Sequence, residues 1–247
     1  MLLILLLGAA AVWSFAAARA HGWWFPENVS VFGARIDALF DLNLWITGGV
    51  FVLVFALLAW TVARGALPGR ARPVHGDLRL ELVWTLVPAA IFVGLAVAQL
   101  DEWRELKYAG ARPHVAVTAR VVASQFDWHF VYPGPDRRFD TLDDLETTYE
   151  LVVPAGEPVV LQLVSRDVIH SFFVPGLRLK QDVVPGMRPE VWFEVRGPAD
   201  LELVCAELCG WGHYKMAGRV RVVPRAAFDA HLAALERAFR SNGKDER

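Results

Sequence analysis

Residues 201–223 read Leu-Glu-Leu-Val-Cys-Ala-Glu-Leu-Cys-Gly-Trp-Gly-His-Tyr-Lys-Met-Ala-Gly-Arg-Val-Arg-Val-Val. The two ends of this stretch, 201–205 and 219–223, are short runs rich in apolar and β-branched side chains, which is strand composition. Between them, residues 205–216 hold both cysteines of the chain, one of its 7 histidines and one of its 3 methionines. Two thiols, an imidazole and a thioether are soft donors. Such a set selects copper over magnesium, calcium or manganese, and the thioether favours copper over zinc. A loop held between strands keeps donors of this kind in fixed places.

The strand pattern extends upstream. Residues 115–122, 126–132, 149–153, 159–165 and 191–195 are further β-rich runs, punctuated by turn signals at Pro133-Gly134, Pro175-Gly176 and Pro185-Gly186. With 201–205 and 219–223 they predict an all-β domain over 113–224, a sandwich or Greek-key barrel of about seven strands. Beyond it, Phe228, Leu232, Leu235 and Phe239 recur at helical spacing. Residues 225–247 therefore read as a surface helix with a charged tail.

The N-terminal part is of another kind. Residues 1–20 are almost wholly apolar and end in Ala18-Arg19-Ala20, which has the small-x-small form of an export-signal cleavage site; a retained anchor helix is the other reading. Residues 42–63 and 82–100 are each about long enough to span a bilayer, with Trp45, Trp60, Trp84 and Trp103 near their ends, where interfacial aromatics gather. Pro88 is expected in the first turns of the second span, where a missing N–H does least harm. The linker 64–79 carries Arg64, Arg70, Arg72 and Arg79 against Asp77. By the positive-inside rule it is cytoplasmic, which places the β domain on the outer, periplasmic face of a multi-pass membrane protein in contact with lipid. Residues 21–112 thus read as a transmembrane helical hairpin.

Composition agrees with a membrane portion: 55% of the 247 residues are hydrophobic. A formal charge of -2 and the absence of a basic run with interleaved aromatics exclude nucleic acid as a partner. Two cysteines make one bridge, two free thiols or metal ligands, not a disulfide framework. The chain has no Cys-x-x-Cys-His haem attachment motif.

Two thiolates four residues apart on one loop can bridge two copper ions. Such a pair needs a second nitrogen donor besides His213. His170, in Asp-Val-Ile-His-Ser-Phe-Phe-Val (167–174) at the end of the 159–165 strand, is the candidate. A histidine in apolar surroundings is commonly a hydrogen-bonded core residue; the incomplete donor set on the loop argues for ligation.

The Cys-x-Glu-x-Cys-Gly-x-x-His-x-x-Met pattern, together with the anchor hairpin, resembles subunit II of the haem-copper cytochrome c oxidases, over roughly residues 27–224. The resemblance implies a cupredoxin-like barrel carrying the binuclear copper centre CuA. Cys205 and Cys209 would bridge the coppers, His170, His213 and Met216 would ligate them, and the Glu207 carbonyl would complete the set. It further implies that the Glu207 side chain binds magnesium or manganese at the boundary with subunit I. Glu81, in Glu-Leu-Val-Trp-Thr-Leu-Val-Pro (81–88), would stand at a proton-path entrance; as a bare residue it reads as an interfacial acid marking a helix end. Residues 179–186 would support the copper site. The implied function is electron entry from a c-type cytochrome and delivery to haem in subunit I, where oxygen is reduced and protons are translocated; the implied partners are subunit I and the other oxidase subunits.

The family's aromatic entry strand resembles Gln-Phe-Asp-Trp-His-Phe (125–130), with Phe126 where the family has tryptophan. Trp128 follows two residues on, on the same strand face by period-two geometry. Phe126 and Trp128 are therefore the candidate entry residues. Asp136, Asp140, Asp143, Asp144, Glu146 and Glu150 are either a steering patch for a basic cytochrome or a solvated loop. Ala217 replaces a proline common in the family and bears on loop stiffness. The competing readings are a quinol oxidase subunit, for which copper donors are unnecessary; a membrane-anchored copper carrier, which favours an exposed exchangeable site; and a structural Cys205–Cys209 disulfide.

Overall fold

A computed structural model of the chain describes residues 2–65, 76–108 and 112–245. The chain divides into two compact units, one of Met1–Trp24 with Arg35–Arg104 and the other of Phe25–Ala34 with Glu105–Arg247.

The first unit is helical. α1 (Leu2–Ala20) is followed by α2 (Gly33–Gly65), α3 (Leu78–Ala98) and α4 (Leu100–Lys107). Only 6% and 0% of the most apolar windows of α2 and α3 are buried in protein, so their side chains face another apolar medium. These two helices form the membrane anchor. α2 is about 50 Å long at 1.5 Å per residue, so it outreaches the hydrocarbon core at one or both ends. Within the unit, Arg19 of α1 forms an ion pair with Asp41 of α2.

The Asp77 side chain accepts hydrogen bonds from the backbone N–H groups of Arg79 and Leu80 and caps α3. The cap draws Arg79 and Glu81 into the helix, so α3 starts at Leu78 rather than at 82. Pro88 consequently sits in mid-helix and not in the first turns, a position that membrane helices tolerate when neighbouring groups satisfy the freed carbonyl. Of the four linker arginines, Arg64 and Arg79 are placed on α2 and α3, whereas Arg70 and Arg72 lie outside the described residues.

The second unit is a β-sandwich closed by a helix. Its strands are β1 (Ala119–Ser124), β2 (Asp127–Tyr132), β3 (Leu145–Thr148), β4 (Glu150–Pro154), β5 (Val159–Ser165), β6 (His170–Val174), β7 (Leu179–Val183), β8 (Glu190–Phe193), β9 (Ala199–Cys205) and β10 (Ala217–Val223), followed by α5 (Arg225–Asp245). One sheet has the order β3-β2-β1-β5-β8 and the other β4-β10-β9-β6-β7. The pairs β1/β5 and β10/β4 are parallel; the others are antiparallel. Inward residues of both sheets, among them Trp128, Phe130, Leu151, Leu161, Leu163, Phe172 and Leu203, form one core.

Three strands lie outside the sequence expectation, each for a local reason. β3 (Leu-Glu-Thr-Thr) and β7 (Leu-Lys-Gln-Asp-Val) are edge strands with too few apolar residues to signal a period. β6 (His-Ser-Phe-Phe-Val) is buried almost throughout and shows no alternation. His170 therefore opens β6 in one sheet; it does not close β5 in the other. The segment before α2 also departs from the hairpin expected over 21–112. Val29 N–H donates to Gly176 O, Val31 N–H to Glu194 O, and Ser30 forms a β-bridge with Val195, so residues 25–34 belong to the β unit.

This topology converges three segments on one end of a sheet. β9 lies between β10 and β6. Where β9 ends, Cys205 N–H donates to Met216 O at 3.1 Å, and Ala206 N–H donates to Ser171 O at 3.0 Å. Phe172 is the register partner of Cys205. The soft-donor loop is thus pinned to the start of β10 on one side and to β6 on the other.

Candidate metal centre

The donor atoms of the loop meet around the two sulfurs. Cys205 Sγ lies 3.8 Å from Cys209 Sγ, 3.9 Å from His170 Nδ1 and 3.2 Å from the Glu207 carbonyl oxygen. Cys209 Sγ lies 3.7 Å from His213 Nδ1 and 3.7 Å from Met216 Sδ. Both cysteines are buried free thiols. A sulfur separation of 3.8 Å is almost twice an S–S bond, so the pair is not a structural bridge. His170, Cys205 and Cys209 alone already form a compact, fully buried ligand cluster. Burial also disfavours the exchangeable site of a copper carrier.

His170 is held for ligation. It is 0% exposed, and its Nε2–H donates to Asp167 Oδ1 at 2.8 Å, which leaves Nδ1 with its lone pair on the sulfur side. Burial opposes ionisation of Asp167. Hydrogen bonds from His170 and from the backbone N–H groups of Gln125 and Val168 nevertheless hold its carboxyl below the ordinary value. The Trp128 ring stands edge-on to the His170 ring at 6.3 Å, and Phe172 packs edge-on against Trp128 at 5.9 Å.

The Cys209 thiol resists ionisation without metal. Burial first, and the neighbouring Cys205 second, push the Cys209 thiol up to about 11. A bound cation must therefore displace protons to gain thiolate ligands. Two sulfurs close enough to share, two imidazole rings, a thioether and a carbonyl fit copper.

The structure separates the two candidate entry aromatics. Phe126 lies in the turn before β2, not in the strand, so the same-face expectation fails. Trp128 is 1% exposed and belongs to the core. Phe126 is half-buried and lodged in the metal loop. Gln125 Nε2–H donates to Cys209 O at 2.6 Å. A Cβ at Gly212 would stand 2.5 Å from the Phe126 ring, and one at Gly210, where φ is +135°, would stand 3.1 Å from it. Two glycines in the motif are thus required to seat this ring.

The acidic loop does not serve this end of the domain. It leaves β2 after Tyr132, at the opposite end of the strand from Phe126. Two of its acids are engaged locally, Asp140 pairing with Arg120 and Asp143 accepting from Thr141, while Glu146 in β3 contacts His129 and Glu150 at the start of β4 pairs with Arg221. The solvated-loop reading holds for them. Glu207 is exposed on the metal loop, and Glu81 is exposed in the first turn of α3. Trp211, the aromatic inside the motif itself and no part of the sequence expectation, is 76% exposed and contacts Phe126 edge-on at 5.2 Å. Its signal was the insertion of a large aromatic between two glycines.

Fold and donors together define a membrane-anchored β-sandwich metalloprotein with a buried, sulfur-rich copper-type centre. Residues 18–101 match the family described as cytochrome C oxidase subunit II, transmembrane domain, and residues 118–223 its periplasmic domain. The chain is 30% identical to the alternative cytochrome c oxidase subunit 2 of Bradyrhizobium diazoefficiens over 236 residues, which covers 85% of this chain and 82% of that one. It is 29% identical to the probable cytochrome c oxidase subunit 2 of Rickettsia bellii, covering 99% of this chain and 96% of that one. A crystal structure of the periplasmic domain of cytochrome oxidase subunit II from Bradyrhizobium japonicum matches 51% of this chain and 98% of that chain, at 26% identity and a TM-score of 0.46. The chain belongs to the cytochrome c oxidase subunit II family. It is accordingly one subunit of an oxidoreductase complex, not an oxygen-reducing enzyme on its own.

Proposed function

We propose that this subunit accepts electrons one at a time from a c-type cytochrome at a binuclear copper centre of the CuA kind and passes them to haem in subunit I, where oxygen reduction is coupled to proton translocation. The observation that carries the proposal is the sulfur pair 3.8 Å apart with an imidazole Nδ1 against each sulfur. Copper bound there would supply one-electron exchange.

The protein's own residues prepare that exchange. Cys205 and Cys209 offer shared thiolates, His170 and His213 one nitrogen each, Met216 a weak thioether and Glu207 its carbonyl oxygen. Asp167 fixes the ring of His170, and the rigid strands β6, β9 and β10 hold the donors so that little has to move when the charge changes. Trp128 and Phe172 exclude water beside His170. The Glu207 side chain, exposed next to the centre, is assigned to a magnesium or manganese ion at the boundary with subunit I. Glu81, at the capped start of α3, is assigned to a proton-path entrance. The β unit is assigned to the periplasmic face and the linker between α2 and α3 to the cytoplasm, with lipid around the anchor.

Metal analysis, optical and EPR spectroscopy of the copper-loaded chain test the reading. Two coppers per chain sharing one unpaired electron, with a purple colour, are the expected result. A single copper per chain, or none, refutes it. Proteolysis of intact spheroplasts checks sidedness: the β unit is digested and the linker is protected.

A further inference from the structure

We propose that Trp211 is the electron-entry residue of this subunit, receiving the donor on its exposed face and coupling through the Phe126 ring to the metal loop. This rests on the electron-transfer reading above. The candidates 126 and 128 are the wrong residues to meet a macromolecule: Trp128 is 1% exposed and Phe126 is half-buried in the loop. Trp211 is 76% exposed, and its ring meets that of Phe126 at 5.2 Å and 68°. Phe126 in turn presses on the loop backbone at Gly212 and Gly210, which flank Trp211 and lie between Cys209 and His213. The two rings therefore form an unbroken aromatic connection from solvent to the ligand loop.

The surroundings of Trp211 specify the donor. Leu208 and Tyr214, 78% and 82% exposed, stand on the same loop and leave further carbon-rich side chains open to solvent. Lys215 Nζ lies 4.6 Å over the indole ring and braces it from one side. Asp136, Asp140, Asp143 and Asp144 lie in the loop that leaves β2 at the end away from Phe126. The fitting partner is a c-type cytochrome that presents an apolar rim around its exposed haem edge. One electron would leave the donor's ferrous haem, which becomes ferric, and would be taken up by copper held by His170, Cys205, Cys209, His213 and Met216, with no bond formed or broken. The rings lend orbital overlap and are not themselves oxidised.

The test uses the purified oxidase complex containing the full chain, with variants Trp211→Ala, Trp211→Leu and Trp211→Phe, and Leu142→Ala as a control on the far loop, where Leu142 is 96% exposed. Copper content and the absorption of the centre should be unchanged throughout. Trp211→Ala should lower both the rate of reduction by ferrocytochrome c and the affinity of the copper-free complex for ferricytochrome c, each by roughly tenfold, the size expected for truncating a central aromatic anchor. Trp211→Phe should restore most of the rate, Leu142→Ala should match the parent, and reduction by dithionite should be the same in all. If Trp211→Ala loses copper, Trp211→Leu, which keeps apolar bulk without an aromatic ring, decides the rate comparison. A Trp211→Ala or Trp211→Leu complex that ferrocytochrome c reduces at the parental rate overturns the proposal. So does a Trp211→Ala complex that sheds the haem-bearing subunit with its reduction rate intact, since Trp211 would then be a subunit contact. If the parent holds no copper pair, the functional reading itself fails, which is a separate outcome.

Discussion

His170, Asp167 and Gly212 show how single residues set the centre. Asp167 accepts from Nε2–H of His170 and from two backbone N–H groups, so it fixes both the ring and the loop leading to it. Asp167→Asn removes the anionic acceptor that orients the His170 ring. Copper affinity should fall by about 10- to 100-fold, and this can be read by competition with a chelator. Gly212 carries a different constraint, since a methyl group there would overlap the Phe126 ring at 2.5 Å. Gly212→Ala should cost about 1–3 kcal/mol of stability through displacement of that ring. A lower melting temperature together with an altered Phe126–Trp211 contact, seen as changed indole fluorescence, is the expected result.

Among the elements, β2 and α5 meet at Tyr132. Its hydroxyl donates to Val152 O at 2.9 Å and accepts from Val152 N–H at 2.8 Å, tying β2 to β4 in the facing sheet. Burial, the dominant cause, keeps the phenol protonated far above its ordinary range. Tyr132→Phe strands both backbone groups of Val152 and should destabilise the chain by about 2 kcal/mol, with the copper spectrum unchanged. His231 of α5 packs edge-on against the Tyr132 ring at 6.0 Å, and its Nε2 is buried without a hydrogen-bond partner among the described residues. Burial, against a smaller opposing effect of Glu150, pulls the His231 pKa below 6.5. The folded state thus favours neutral imidazole: the stabilising contribution is present above pH 6.5 and is lost as pH falls through the lowered folded value. His231→Phe should flatten the melting temperature against pH in that window, and a slope equal to the parent's would contradict the assignment.

For the molecule as a whole, the unit carrying the centre is not one continuous stretch of chain. Residues 25–34 lie before α2 in sequence and pair with the β unit, where Phe32 packs edge-on against Trp192 at 4.6 Å. Both rings are largely hidden, at 7% and 9% exposure. A soluble version beginning at Glu105 uncovers Trp192 and should lose about 2 kcal/mol relative to one in which 25–34 is restored by a flexible linker. Comparison of the two melting temperatures checks this. Equal values would mean that the segment adds nothing to the sandwich.

Composition and local order determined the two-part plan: apolar runs too long for a soluble domain, turn-punctuated β runs, and a loop whose five donors are chemically selective. Cys205, Glu207, Cys209, His213 and Met216 lie within twelve residues of one another, so their pattern is visible without a fold. His170 was reachable only as the missing nitrogen, and its place at the head of β6 was not, because a short strand buried on both faces has no period to read. Tertiary structure alone decided what stands around the loop. Strand pairing across β10, β9 and β6 is long-range, and it brought His170 to Cys205 and Cys209. A turn before β2 pressed Phe126 into the loop and sent Trp128 into the core. That left Trp211 as the solvent-facing aromatic in contact with Phe126, because exposure is a property of the packed chain and no residue carries it alone.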